Sequence, residues 1–206
     1  MFTTLQPLVL ASGSPRRRRM LAELGLEFTV AAAEIAEVAL AGEGPADFVR
    51  RLALEKAAAV AAGFPAAWVL GADTVVALEG EILGKPADER QATAMLERLS
   101  GGWHTVFTGF CLLPPSTVPA AARSRGRESG HREVVATEVC FAAAAPELIA
   151  AYVASGEPLD KAGAYGIQGR GAVLVRTIRG SYSNVVGLPL PETINVLLTA
   201  GVITCR

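Results

Sequence analysis

Asp73 stands in the run Trp68-Val-Leu-Gly-Ala-Asp-Thr-Val-Val-Ala-Leu78, which holds no other charged residue. A carboxylate in such apolar surroundings needs a partner, because an unpaired buried charge is costly. On its own, Asp73 is equally readable as a hydrogen-bonded structural group, a metal ligand or a general base. Glu37 could supply a second carboxylate from an irregular segment, although alone it reads as an exposed acid. Lys56 lies in a largely apolar helical run, and Lys85 lies between Gly84 and Pro86, where the backbone is constrained. Each alone reads as a surface lysine. Taken together with Arg16 and Arg17, these residues suggest a cleft for a metal-bound polyphosphate. In such a site a divalent cation (Mg²⁺ or Mn²⁺) bridges phosphate oxygens while lysines and arginines neutralise the remaining charge.

Two further stretches fit that chemistry. Leu8 to Ala11 is a short apolar run that suits a buried strand, followed by Ser12-Gly-Ser-Pro15 and four arginines, Arg16 to Arg19. Ser14 is an N-cap candidate and Pro15 suits a first helical position, so a helix N-terminus with free N–H groups follows directly. An anion belongs there, and guanidinium forks match phosphate oxygens in pairs. The same arginines also fit a solvated helix face. The second stretch, Asp160 to Gly171, has glycines spaced for close backbone approach. In it Gln168 offers a donor and an acceptor on one amide, as pairing with a nucleobase edge requires. A glycine-rich turn with no ligand is the other reading.

The elements that must position these residues follow from periodicity and turn chemistry. Helical spacing predicts a helix over 47–62, and an Ala-, Met- and Leu-bearing pattern another over 88–99, closed by Ser100-Gly101-Gly102. Trp68 to Leu78 reads as a central strand, with Glu79-Gly80 as a hairpin turn and Glu81 to Leu83 as its partner. Further strands are expected over 28–30, 104–113, 133–142 and 172–178, and helices over 146–155 and 191–200. The connection 114–132 holds prolines, glycines and arginines without apolar periodicity, and reads as a mobile surface loop.

Composition narrows the classes. The chain has 206 residues, 51% of them hydrophobic, which suffices for a substantial core. The formal net charge of −1 gives no global basic field for nucleic acid, so an anion must be met by local clusters. Three cysteines without paired spacing, and two widely separated histidines, indicate neither a disulfide framework nor a zinc site. A reducing, cytoplasmic compartment is expected, with no signal peptide or transmembrane helix.

The motifs taken in order resemble the Maf family of nucleoside triphosphate pyrophosphatases. They are Ser-Gly-Ser-Pro-Arg-Arg from Ser12, Leu-Ala-Leu-Glu-Lys-Ala from Leu52, Gly-Ala-Asp-Thr-Val-Val from Gly71 and Gly-Lys-Pro from Gly84. Leu-Ser-Gly with His104 and Thr108-Gly, Lys-Ala-Gly-Ala-Tyr-Gly-Ile-Gln-Gly from Lys161, and Gly-Ser-Tyr-Ser-Asn-Val-Val-Gly-Leu-Pro from Gly180 complete the set. The resemblance covers nearly the whole chain as one domain, 1–206, leaving out only 114–132. It implies an α/β fold, a mixed twisted sheet with flanking helices in two lobes around a deep cleft (ITPase-like), usually homodimeric. The implied reaction hydrolyses a nucleoside triphosphate between its α and β phosphates with a divalent metal. By motif position Asp73 resembles the proposed base and, with Glu37, the metal site. Lys56 and Lys85 correspond to metal and phosphate residues, and Ser12 with Arg17 to the phosphate grip. The family commonly shows Ile-Asp-Glu where this chain has Ile35-Ala36-Glu37, so one acidic neighbour is missing. A structural role is expected of His104.

Within the family, one group carries Arg after Ser-Pro, Thr after the Asp and Gln in the glycine loop, and is associated with dTTP and UTP. Arg16, Thr74 and Gln168 place this chain in that group. The chemistry agrees, since the Gln168 amide can donate to a pyrimidine carbonyl and accept the N3 hydrogen, which cytosine cannot match in the same pose. The competing readings are a nucleic-acid-binding or cell-division regulatory protein on the same fold, a pyrophosphatase for a methylated guanine nucleotide, and a fold retained without activity.

Overall fold

The computed structural model describes residues 1–117 and 130–206. The centre is a mixed sheet in the order β3 (Thr29–Val30), β2 (Leu8–Ala11), β4 (Trp68–Leu78), β6 (Trp103–Leu113), β7 (His131–Phe141), β8 (Val175–Arg179), with β5 (Glu81–Leu83) on the free side of β4. β2 runs parallel to β3 and β4, and the remaining pairs are antiparallel. The mixed-sheet α/β architecture expected from the sequence is what forms.

β4 is the organising strand. On one side β2 leaves it at the pair Ala11 and Gly71, and β5 joins only at Val76 and Leu83. Between these pairs, Ala72 to Val75 are hydrogen-bonded in the sheet to β6 alone. The sheet is therefore notched at Asp73 and Thr74, whose side chains point to opposite faces. The β4–β5 hairpin closes as expected, with both Glu79 (φ 52°) and Gly80 (φ 86°) in the left-handed region that a tight two-residue hairpin turn demands.

Helix α1 (Pro15–Glu23) leaves β2 with Pro15 in its first turn and the Ser14 side chain accepting from the Arg17 N–H. Helix α2 (Pro45–Ala61) lies across β4 and β6 at a separation only glycine allows. A Cβ on Gly71 would come within 2.3 Å of the Ala53 carbonyl oxygen, and one on Gly109 within 2.5 Å of that of Val49. Helices α3 (Glu89–Leu99) and α4 (Pro146–Ala154) pack with β7 and Tyr165 in a second apolar cluster. A first cluster joins β2, α1 and α6 (Leu190–Thr199). Elements of both clusters border the cleft.

Several boundaries differ from expectation. β7 begins at His131, so His131 and Arg132 belong to a strand and not to the preceding connection. Of that connection, 118–129 lies outside the described residues. The expected strand over 172–178 is shorter, because Gly169–Leu174 winds as a 3₁₀ turn and extended backbone begins only at Val175. The short helix α5 (Tyr182–Val186) and the pairing of β1 (Phe2–Thr4) with β9 (Ile203–Cys205) have no counterpart in the sequence pattern. No helix among the described residues is long and apolar enough to cross a membrane.

Candidate active site

The notch in the sheet opens into a cavity of about 870 Å³ lined by the turn after β2, the segment around Glu37, α2, β4, the Gly84-Lys85 corner and the loop 160–168. Every site residue expected from the sequence borders it: Ser12, Arg16, Arg17, Glu37, Lys56, Asp73, Thr74, Lys85 and Gln168.

Close packing of α2 on Gly71 and Gly109 sets the central contact. Asp73 follows Gly71 by two residues and so faces the same helix, at the height of Lys56. Lys56 Nζ donates to Asp73 Oδ1 at 2.6 Å and to Glu37 Oε1 at 2.6 Å. Lys85 Nζ donates to the other Glu37 oxygen at 3.3 Å. Asp73 is only 6% exposed, and this ammonium is the partner its burial requires. For Glu37, partial burial works against ionisation, but hydrogen bonds and charge from Lys56 and Lys85 outweigh it and hold the carboxyl below its ordinary range. The two acids thus meet around a shared lysine.

Arg16 and Arg17 part company. Arg16 stays at the cavity mouth, 3.6 Å from the Asp160 carboxylate on the opposite wall. Arg17 is 8% exposed and its fork is turned into protein. Its Nε donates to the Gly187 carbonyl at 2.7 Å, and its two terminal nitrogens to Ser12 Oγ and Thr74 Oγ1, each at 2.9 Å. Burial pulls the Arg17 pKa down from the usual arginine range, with Asp73 opposing that shift. Thr74 in turn meets Thr108 at 2.9 Å, and Thr108 donates to the Asn184 carbonyl. Arg17 therefore ties β2, β4 and the α5 end together, and holds Ser12 at the helix start. Arg18 and Arg19 are exposed, as a solvated helix face would be.

Residues that sequence reasoning missed hold the segment bearing Glu37. The Arg51 fork donates to both Glu43 oxygens at 2.7 and 2.6 Å and also to the Val38 carbonyl at 3.0 Å. The Arg51 hydrogen bonds draw the Glu43 pKa down to about 2. Arg51 sits on the same helix as Lys56, so one helix both anchors the acidic segment and supplies its counter-charge. An acid and an arginine eight residues apart across a helix start were the available signal. His104 lies outside the cavity, buried edge-on against Phe141 and Tyr165, with its Nε2 2.8 Å from the Tyr165 hydroxyl. Burial lowers its pKa to about 4, so the ring is neutral at physiological pH.

The donor set fits a divalent cation of the magnesium type. Such an ion is held by one or two carboxylates and completes its shell with substrate phosphates and water. Glu37 and Asp73 are two such carboxylates, both paired to the Lys56 ammonium at 2.6 Å, and no cluster of three or more His, Cys, Asp or Glu suited to a metal occurs among the described residues.

Fold and cleft together define the class: an α/β protein in which a notch in a mixed sheet and a helix N-terminus open onto one charged cavity. The Maf-like protein profile matches residues 7–200, and the chain belongs to that family. A Myxococcus xanthus relative named dTTP/UTP pyrophosphatase is 54% identical over 196 residues, covering 94% of this chain and 92% of the relative. Relatives of the same name from Symbiobacterium thermophilum (50% identical; 96% of this chain, 95% of the relative) and Moorella thermoacetica (52%; 96% and 97%) are similarly close. Among solved structures, a HAM1 protein from Coxiella burnetii superposes with a TM-score of 0.48 at 18% identity, over 95% of this chain and 100% of that one.

Proposed function

We propose that the protein hydrolyses dTTP and UTP to the monophosphate and pyrophosphate. The observation that carries this reading is one cavity lined by two chemically distinct sets of groups. In the first, Lys56 is shared by Asp73 and Glu37, with Lys85 and the α1 N-terminus also on the lining. In the second, the glycine loop brings Gln168 to the lining, with its side-chain amide making no hydrogen bond to the described residues. The first set suits a triphosphate and the second a base edge. Names carried by relatives at about half identity over nearly the whole chain support the same substrate pair.

In this reading the free N–H groups at the start of α1, with Ser12 and Arg16, receive phosphate oxygens, and Lys56 and Lys85 neutralise the polyphosphate. Glu37 and Asp73 would hold a Mg²⁺ or Mn²⁺ ion, which when bound supplies further neutralisation of charge on the phosphates. Asp73 takes the proton from the attacking water. The water oxygen bonds to phosphorus of the α–β anhydride, and the P–O bond of that anhydride breaks to release pyrophosphate. Arg17 contributes by keeping Ser12 and Thr74 in place. The homodimer and cytoplasmic setting belong to the same reading; free Cys111 and Cys140, both buried, are compatible with a reducing compartment.

The test is pyrophosphate release over a panel of standard and modified triphosphates, with and without Mg²⁺ or Mn²⁺. The expected outcome is metal-dependent turnover with dTTP and UTP well ahead of ATP, GTP and CTP. Higher kcat/KM for any purine triphosphate, methylated guanine included, overturns it.

A further inference from the structure

Gln168 sits on backbone that is braced from below. Flanking it, the Gly166 N–H donates to the Tyr152 hydroxyl at 3.2 Å, the Arg170 N–H to Glu157 Oε2 at 3.1 Å, and the Gly171 N–H to Glu157 Oε1 at 3.1 Å. The Tyr152 hydroxyl donates in turn to Glu157 Oε1 at 3.1 Å, so the two side chains form one bracket. Gly169, between the pinned amides, has φ 73°, and a Cβ there would lie 3.0 Å from the Glu157 carboxylate. The loop can therefore close onto Glu157 only through glycine.

The bracket has its own foundation. Tyr152 is 4% exposed on α4, and Glu157 starts a 3₁₀ turn whose carbonyl accepts from Lys161 Nζ at 2.6 Å. Backbone N–H donors to an ionised carboxylate are stronger than neutral pairs. Partial burial opposes ionisation of Glu157, yet these donors hold its carboxyl below the ordinary range. Tyr152 and Glu157 do not line the cavity, so neither touches what the cavity holds.

We propose that Tyr152 and Glu157 are positioning residues for base selection: by pinning the amides on both sides of Gln168 they fix where its side-chain amide meets the pyrimidine edge. The proposal rests on the nucleotide reading above. An amide that must both donate and accept discriminates only if it is held in place, because a mobile one can pair with other edges by shifting.

The experiment compares wild type, Glu157→Gln and Tyr152→Phe for kcat and KM with dTTP, UTP and CTP in Mg²⁺, alongside amide hydrogen exchange without nucleotide. Glu157→Gln should reduce the preference for dTTP over CTP by about ten- to hundredfold, the size expected for losing charge-assisted hydrogen bonds, through KM, with kcat for dTTP within about threefold. Tyr152→Phe, which removes only one hydroxyl, should have a smaller effect of the same kind. Exchange at Gly166, Arg170 and Gly171 should quicken at least about tenfold, with amides around Asp73 unchanged. An unaltered dTTP/CTP ratio in either folded variant, or equal losses on all three triphosphates, overturns the proposal. A wild-type protein with no preference for dTTP and UTP over CTP overturns the nucleotide reading and, with it, the selection role, while the exchange rates separately decide whether the bracket holds the loop. If Glu157→Gln does not fold, Tyr152→Phe decides both points.

Discussion

The charged part of the cleft and its glycine loop hold their side chains by opposite means. In the charged part, side-chain ion pairs and hydrogen bonds do the holding: Lys56 binds Asp73 and Glu37, and Arg51 clamps Glu43 and the Val38 carbonyl. At the glycine loop, Tyr152 and Glu157 hold backbone amides and leave the Gln168 side chain unbonded among the described residues. The difference suits what each part is proposed to receive. A polyphosphate is matched by charge at several points, and exchangeable ion pairs can re-form on it. A base edge is matched by direction, which needs a fixed frame and a free amide.

If that division is right, substitutions in the charged part act on turnover and stability, while those at the glycine loop act on selection. The largest effect should come from Asp73→Asn, which keeps shape and removes the proposed base. Turnover in a steady-state pyrophosphate assay should fall by about two to four orders of magnitude in a folded protein. Near-normal turnover would remove Asp73 from the mechanism and erase the contrast in its charged part.

In the glycine loop, Gln168→Leu should narrow the preference for dTTP over CTP by about tenfold or more, a larger factor than its loss of kcat on dTTP. Competition assays with mixed triphosphates read this ratio directly. An equal fall for every nucleotide would show that the loop serves catalysis as a whole.

The two lysines sharpen the comparison within the charged part. Lys56 has a side chain 12% exposed, between two carboxylates, whereas the Lys85 side chain is 58% exposed. Lys56→Met leaves Asp73 buried without its counter-charge and should cost about 3 kcal/mol in urea denaturation. Lys85→Met should cost within about 1 kcal/mol, as for a surface pair, while raising KM. Similar stability losses in the two variants would contradict the burial difference.

The effect furthest from the chemistry lies behind the glycine loop. His104 has its pKa lowered to about 4 by burial, from an ordinary value of 6.5. Between these values the unfolded chain binds the extra proton and the folded one does not. Stability is therefore complete above pH 6.5 and is lost as pH falls toward 4, by up to about 3 kcal/mol from this group. Replacing it in His104→Phe should flatten that part of the pH profile of the denaturation midpoint, with base preference unchanged. A wild-type midpoint independent of pH across that window would contradict the burial of a neutral ring.

Much of this site is legible in the amino-acid sequence alone. The hairpin at Glu79-Gly80, the Ser14-Pro15 helix start and the length of β4 rest on local turn chemistry and periodicity, which act within a few residues. The identities of Asp73, Glu37, Lys56, Lys85 and Gln168 are readable as motif residues, and all border the cavity. The division of Arg16 from Arg17 is not readable, because adjacent arginines in one helical turn look alike. Only the arrival of Gly187 and Thr74 gives the second its buried partners. The stretch 172–178 looks like one strand, but its first part belongs to the 3₁₀ turn Gly169–Leu174, whose Arg170 and Gly171 amides donate to Glu157. The β1–β9 pair joins residues about 200 positions apart, beyond any local pattern. Sequence determined which groups could carry the chemistry, since residue type and short-range spacing suffice for that. Tertiary structure decided which lysine is buried, which arginine is an anchor and where the sheet is notched. Each of those depends on distant strands and helices meeting at the same point, as α2 does over Gly71 and Gly109.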